Sequence, residues 1–441
     1  MIERGCFPLN LTISLMYLVQ KRNSIADFVL SLFLMSCLFV PIQTIAQQQR
    51  DLNYFLTKAK ENSPVLNDYN QQVYSLKIDS LKLKAEYGIK VNGILNTSYA
   101  PILNGWGYDE VLSNGQELIS VIRISKDFLG KNNIGYKFND YSLGIKQLVN
   151  KSQINIVQLT KAITEQYINT YYSQKEYDIL LEIRNLFLKE DIVLNKLTQN
   201  STFSQTDYLT FQVNVKQNTL VLKQCEVEWQ DNYAVLNYLC GIVDTNVQKI
   251  STPNLPQINV KPYNEGAYEQ SYLIDSLKLF NRANIINSNY SPQLSAFMDG
   301  GYSSSFLNQP YKNFGLNIGL SLSIPIYDGN QKNMLLQQNQ IELETKGKYN
   351  EFARRQYNQQ ILMFNQQIQQ YNQMISLAKE QLNYSNTLIE ANLRQFLQGD
   401  VKIADFILSI NNYLNLKLVL LQYETKTYNL NNQLNNITIH P

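Results

Sequence analysis

The sequence of 441 residues contains a single histidine, His440, which is the last residue but one. Histidine supplies most general bases at neutral pH and is the commonest ligand of protein metal sites. Its scarcity argues against a triad hydrolase and against a histidine-ligated metalloenzyme, and the sequence has no glycine-rich phosphate loop. We therefore expect no catalytic residue, no cofactor and no metal site.

An excess of charge of either sign is also missing. Lys and Arg number 38, Asp and Glu number 36, and the net charge is +2. A chain that binds nucleic acid is usually strongly basic, so we expect no nucleic-acid partner. The hydrophobic fraction of 44% is that of a folded protein, and the length suits two units rather than one.

Cysteine is rare, with four residues in the whole chain. Cys225 and Cys240 fall within one predicted helix, in which about 15 residues span roughly 22 Å. A disulfide requires Cα atoms within about 7 Å of each other. We expect these two cysteines to be unbridged and buried as small apolar residues.

The N-terminus has the pattern of an export signal. Lys21 and Arg22 precede an apolar run over residues 28–40, and the small residue Ala46 follows. This pattern predicts a secretory signal peptide over residues 1–46. Lipid attachment at Cys37 is a weaker alternative, because that cysteine lies inside the apolar run.

Proline is scarce, and its distribution predicts long helices. None occurs between Pro101 and Pro253 or between Pro325 and Pro441. Because proline breaks helix interiors, these are the stretches in which long helices can form. From residue 330 to about 397 apolar residues recur at helical spacing, which predicts a helix about 100 Å long that requires coiled-coil packing.

Between the helical stretches, four segments alternate apolar and polar residues. The clearest covers residues 314–324, in which every second residue from Phe314 to Ile324 is apolar. Each segment has about ten residues, the length with which a tilted strand crosses a membrane. A soluble sheet with one wet face would show the same alternation, but the export signal and the flanking helices favour the membrane interpretation.

The chain repeats itself after about 200 residues. Residues 78–83 recur without change as residues 274–279. The first repeat is predicted over 47–250, with a first helix, strands near 89–100 and 116–125, and long helices over 131–240. A proline-rich linker over 251–264 leads to the second repeat over 265–441, with a first helix, strands near 293–303 and 314–325, and long helices over 329–439.

Four strands cannot close a barrel, and open strand edges are not tolerated in lipid. Several chains must therefore contribute strands, and a symmetric ring of three would supply about twelve. The predicted fold class is an α+β membrane protein with a tandem structural repeat. Its four transmembrane β-strands per chain continue into a long α-helical coiled-coil tunnel.

Two local motifs lead to a known family. Residues 323–329 (Ser-Ile-Pro-Ile-Tyr-Asp-Gly) are similar to a strand-to-helix junction, and residues 397–407 are similar to a helical-hairpin tip. With the order of the elements, they make the chain resemble the TolC family of outer-membrane efflux proteins over residues 51–440. In the first half, residues 125–130 lack the junction proline and residues 200–204 lack the tip glycine.

The resemblance implies an outer-membrane channel, the exit duct of a tripartite efflux or type I secretion system. Its implied partners are two further copies in a homotrimer, a periplasmic adaptor (membrane fusion) protein, an inner-membrane pump and outer-membrane lipid. The helical part would lie in the periplasm, and the strand-connecting loops, including the glycine-flanked Trp106, would lie outside the cell. Two alternatives stay open: a non-transporting outer-membrane coiled-coil stalk or assembly protein, and a periplasmic helical binding protein.

Three groups of residues are the predicted sites. The strand-to-helix junctions comprise Pro325, Tyr327, Asp328, Gly329 and Gly130, where proline ends strand pairing, tyrosine suits the membrane interface and Asp328 can cap a helix with Gln331 as a partial capping box. By the resemblance, the helical-hairpin tips that contact the adaptor comprise Phe203, Ser204, Asp207, Gly399 and Asp400. The resemblance also implies a periplasmic constriction at Asp405 and Leu408, where Asp405 matches a family aspartate and Leu408 replaces a second one.

Overall fold

The structure is a computed structural model that describes residues 50–107, 115–128, 130–200, 203–244, 246–256, 260, 262–306, 309–398 and 400–437. The chain divides into Met1–Gln49 and Arg50–Pro441, and all described residues belong to the second unit. The predicted signal peptide, Cys37 and Gly399 lie outside the described residues.

The order of helices and strands is the same in the two halves of the chain, except that the first half begins with one additional helix, α1. The first half contains α1 (Leu52–Asn62), α2 (Pro64–Glu86), β1 (Lys90–Tyr99), β2 (Gln116–Phe128), α3 (Lys131–Gln199) and α4 (Gln205–Leu239). The second half contains α5 (Ala267–Asn289), β3 (Gln293–Ser304), β4 (Phe314–Ser323), α6 (Gln331–Gln398) and α7 (Ile403–Asn435). Strands with very long helices confirm the predicted fold class for the single chain.

The observed boundaries differ from the expected ones by a few residues. β2 continues to Phe128 rather than 125, and β4 ends at Ser323 rather than 325. The early end of β4 follows from Pro325, which has no N–H for the next ladder hydrogen bond. α6 begins at Gln331, two residues after the expected start.

The four strands form one antiparallel sheet in the order β1, β2, β3, β4. The central pair, β2 and β3, joins the two halves of the chain, with Leu118 opposite Ser304 and Phe128 opposite Leu294. The sheet is therefore a single surface to which both halves contribute equally.

The helices pack around α3, which has 69 residues and a length of about 100 Å. α3 contacts α2, α4, α5 and α7, whereas α5 lies between α3 and α6. In the described part of the chain, no helix is both long and apolar enough to cross a bilayer.

Separate apolar clusters hold the helices together along their length. Near the middle of α3, Phe55 of α1 packs edge-on against Tyr167 and Tyr233, and all three side chains are buried. Cys225 and Cys240 are free and buried, and burial raises the pKa of each thiol to about 12. The thiols are therefore protonated and unreactive at neutral pH.

Candidate functional site: a two-faced sheet and paired helical tips

One face of the sheet is apolar and exposed. Directly opposed residues in an antiparallel sheet share a face, so the register assigns every side chain. One apolar row crosses all four strands and consists of Val91, Ile124, Met298 and Ile318. On β4 the exposed fractions reach 79% for Leu316 and 75% for Ile318. Such a contiguous apolar surface marks an interaction with lipid or another protein.

The apolar band has the height of an outer-membrane barrel. It extends from Phe314 on β4 to Ile324, directly after the strand, and both residues are exposed. Ten strand residues rise about 33 Å, and a tilt of about 40° reduces this to about 25 Å. That is roughly the height of the lipid-facing band in barrels of the outer membrane.

The opposite face of the sheet is polar and contains an ion pair between β2 and β3. One row consists of Asn92, Arg123, Asp299 and Asn317. Arg123 Nε and Nη2 donate to the two carboxylate oxygens of Asp299 at 2.7 and 2.8 Å. The Asp299 side chain is 9% exposed and that of Arg123 is 41% exposed. The guanidinium also lies 5.0 Å from the centre of the Phe297 ring.

Two glycines allow β3 and its neighbours to approach closely on this face. Gly301 has φ +154°, and a Cβ there would lie 2.8 Å from the Cα of Val121 and closer still to the Ser120 carbonyl oxygen. Gly319 lies beneath the Phe297 ring, and a Cβ there would come within 2.7 Å of a ring carbon unless the ring moved. The β2–β3 boundary between the two halves is therefore tightly packed at Gly301, and β3 and β4 are tightly packed at Gly319.

The two outer strands of the sheet have free edges within the described residues. β1 pairs only with β2, and β4 pairs only with β3. An unpaired backbone N–H or C=O in hydrocarbon costs several kcal/mol, on the order of 4. An apolar sheet of this kind is stable in lipid only when further strands complete it.

At the end of β4 the chain turns sharply into α6. Gly329 and Asn330 both have left-handed backbone conformations, with φ of +66° and +69°. The turn brings the Asp328 carboxylate back to accept the Lys332 N–H at 2.7 Å, whereas the sequence suggested a capping box with Gln331. This hydrogen bond, and a second from the Tyr290 hydroxyl, lower the pKa of Asp328.

The other predicted junction residues lie between β4 and this turn, or directly before α3. Tyr327 is 88% exposed and Ile326 is 95% exposed, directly after Pro325. Gly130 precedes α3 with φ −56°, a conformation open to any residue, and without a side-chain cap. The first junction thus lacks the acidic cap and the left-handed turn of the second.

At the far end of the long helices the two helical hairpins meet. Phe203, between α3 and α4, packs edge-on against Phe396 of α6 at 5.6 Å, and Phe396 stacks on Phe406 of α7 at 5.7 Å. Phe396 and Phe406 belong to an apolar cluster that also contains Phe187 and Phe211. The structure thus brings residues of both predicted tips together.

The polar tip residues lie around this cluster. Ser204 precedes α4 and Asp400 precedes α7, and both are exposed. Asp207 and Asp405 are exposed in the first turns of α4 and α7, where a carboxylate interacts favourably with the helix dipole.

Asp405 and Leu408 lie on one side of α7, away from the apolar cluster that contains Phe396 and Phe406. Leu408 is 57% exposed, while the intervening Phe406 and Ile407 are buried. The spacing of three residues places Asp405 and Leu408 next to each other on the helix surface. The two residues therefore form a small mixed acidic and apolar surface directed away from the chain's own core.

A contact between the two hairpins was not foreseen from the sequence. Lys417 of α7 donates to both carboxylate oxygens of Glu182 on α3, at 2.7 and 2.8 Å. Its ammonium group also lies 4.8 Å from the centre of the Tyr413 ring. Burial lowers the pKa of Lys417, but the hydrogen bonds to Glu182 and Tyr413 outweigh it, and the net pKa is raised.

Comparison with known proteins agrees with this geometry. Residues 278–438, less than half of the chain, match the family model described as outer membrane efflux protein. No curated protein sequence matches the chain.

Solved channel structures have the same fold at low sequence identity. The outer membrane protein VceC of Vibrio cholerae is 12% identical with a TM-score of 0.70, over 87% of this chain and 94% of VceC. The CmeC outer membrane channel of Campylobacter jejuni is 12% identical with a TM-score of 0.69, over 87% and 85%. The open state of the MtrE outer membrane channel of Neisseria gonorrhoeae is 10% identical with a TM-score of 0.68, over 87% and 88%.

Proposed function

We propose that this chain, in which residues 278–438 match the outer membrane efflux protein family, forms a passive exit duct in the outer membrane. The observation that carries the proposal is the two-faced sheet. Its exposed apolar face suits lipid, and its polar face, with Arg123 and Asp299, suits a water-filled lumen. The TolC-like resemblance in sequence and fold supports the same function.

The free strand edges support assembly of three copies. β4 of one copy would pair with β1 of the next, and three sheets would give a closed barrel of about twelve strands. Closure removes every unpaired edge from the hydrocarbon.

The tandem repeat indicates a helical surface that a neighbouring copy covers. Ile78 of α2 is 48% exposed, but its repeat counterpart, Ile274 of α5, is only 3% exposed. Ile274 is buried because α5 lies between α3 and α6, whereas α2 packs mainly on α3. The second neighbour of α2 would be α6 of another copy, and it would bury Ile78.

The long helices would continue the barrel as a tunnel across the periplasm. Their tips, with Phe203, Ser204, Asp207 and Asp400, would face a periplasmic adaptor and an inner-membrane pump. Asp405 and Leu408 would come near the tunnel axis and form its constriction. Cargo would pass without any bond being made or broken, so the duct requires no catalytic group.

Single-channel recording with the purified protein in planar lipid bilayers tests this function. A duct gives discrete conductance steps, whereas protein unfolded before addition serves as the control and gives none. Absence of steps from folded, membrane-inserted protein would contradict the duct and favour a non-transporting stalk.

A further inference from the structure

The loop after β1 contains a small, tight hairpin with an exposed tryptophan. The backbone N–H groups of Leu103 and Trp106 each donate to the carbonyl of the other residue, at 2.9 and 3.0 Å. Asn104 and Gly105 between them have φ of +54° and +82°. Two successive left-handed residues, Asn then Gly, are typical of a tight type I′ turn, which holds the two flanking residues in one geometry.

This hairpin presents two large apolar side chains next to each other. Leu103 and Trp106 exchange both hydrogen bonds and are therefore directly opposed, so their side chains share a face. Leu103 is 68% exposed and Trp106 is 84% exposed. The next opposed residue, Gly107, lies against Ile102 so closely that a Cβ would contact the Ile102 Cα at 3.0 Å.

The 103–106 hairpin follows the end of β1 at which the apolar sheet face consists of aromatic side chains. Tyr99 at the end of β1 is 77% exposed, and Phe314 at the start of β4 is 73% exposed. Tyr302 packs against Phe314 with ring centres 5.2 Å apart. Tyr99 and Phe314 lie at the end of the sheet opposite the strand-to-helix junctions. At most four extended residues, about 13 Å, separate Tyr99 from Leu103.

We propose that the 103–106 hairpin is a lipid anchor that places Trp106 and Leu103 in the headgroup region of the outer leaflet. Tryptophan is favoured at that depth because its ring is apolar and its N–H still finds a polar partner. The hydrogen-bonded turn already holds the two side chains side by side, which reduces the entropy lost on insertion. The anchor rests on the proposed membrane function, since it requires the adjoining sheet to lie in lipid.

The composition of the chain allows a direct test, because it contains only two tryptophans, Trp106 and Trp229. Trp229 is half-buried between helices, with its ring centre 5.6 Å from that of Tyr177. In the W229F variant, reconstituted as the full chain in phosphatidylcholine vesicles, all tryptophan emission comes from Trp106. Lipids brominated near the headgroup end of their acyl chains should quench most of this emission, and aqueous iodide should quench little of it.

Strong iodide quenching without lipid quenching would place Trp106 in water and overturn the anchor. Emission quenched by neither reagent would bury Trp106 in protein and overturn it as well. A control variant, I318W in a W106F/W229F background, reports on the apolar sheet face itself. Lipid quenching of the I318W control without lipid quenching of Trp106 in W229F overturns only the anchor. Lipid quenching in neither variant overturns the membrane function on which the anchor rests.

Discussion

Arg123 on β2 and Asp299 on β3 form a bidentate ion pair across the line at which the two halves of the chain meet. The two residues are directly opposed in the sheet and lie on its polar face. Their charges neutralise each other on this face, where the Asp299 side chain is only 9% exposed. The pair also specifies the register between two strands that are far apart in the sequence.

Removal of Arg123 is expected to destabilise the sheet more than removal of Asp299. The R123A substitution leaves the Asp299 carboxylate, 9% exposed, without its partner, whereas D299A leaves the more exposed guanidinium. We expect R123A to lower the urea concentration at the midpoint of unfolding, and to do so by more than D299A does. Urea unfolding of the purified protein in detergent measures the difference.

The Lys90–Asp127 pair provides the matched control for this experiment. It lies in the same sheet at 3.4 Å, and its side chains are 42% and 46% exposed. Because exposed pairs contribute little, K90A should change the free energy of unfolding by less than about 1 kcal/mol. Equal effects of R123A and K90A would show that the Arg123–Asp299 pair has no special role.

Two opposed glycines on the polar face should differ sharply in their tolerance of a side chain. G301A should prevent assembly, since its Cβ would collide with the backbone of Ser120 and Val121. G315A should assemble normally, because nothing lies within 4 Å of a Cβ at that position. The yield of folded protein in the membrane fraction measures both effects, and normal yield of G301A would contradict the observed β2–β3 packing.

The acidic turn before α6 predicts a dependence of stability on pH. Hydrogen bonds from the Lys332 N–H and the Tyr290 hydroxyl lower the pKa of Asp328 from 3.8. The ionised carboxylate therefore stabilises the fold above pH 3.8, and this contribution is lost as the pH falls through the folded-state pKa. D328N should unfold at a lower temperature than wild type at neutral pH, and the difference should shrink below pH 3.8. A difference independent of pH would rule out this linkage.

The proposed constriction predicts different effects for two aspartates in equivalent positions. Asp405 and Asp207 both lie in the first turn of a tip helix. Three Asp405 carboxylates near one axis would attract cations, so D405A should change conductance and weaken block by divalent cations. D207A should leave both unchanged. Wild-type conductance and block in D405A would assign the constriction to Leu408 or to another position.

The periodic features of the sequence predicted most of the fold, because strands and long helices are local patterns. Alternation over residues 314–324 identified β4, and the absence of proline identified α3 and α6. Contacts between distant segments leave no such pattern. The Arg123–Asp299 and Lys417–Glu182 pairs and the packing of Phe203 on Phe396 depend on how whole elements align. The turn at Gly329 and Asn330 was also missed, since an Asp-Gly pair fits several helix starts.

The mass of the assembled protein in mild detergent tests the central claim most directly. Native mass spectrometry should give three chains. One sheet has four strands and two open edges, and three copies would close it into a barrel of about twelve strands. I78E should dissociate the trimer, because a neighbouring copy would bury Ile78. L81E should not, because Leu81 and its repeat counterpart Leu277 are both exposed, at 67% and 51%. A stable monomer that retains full β content would contradict the account.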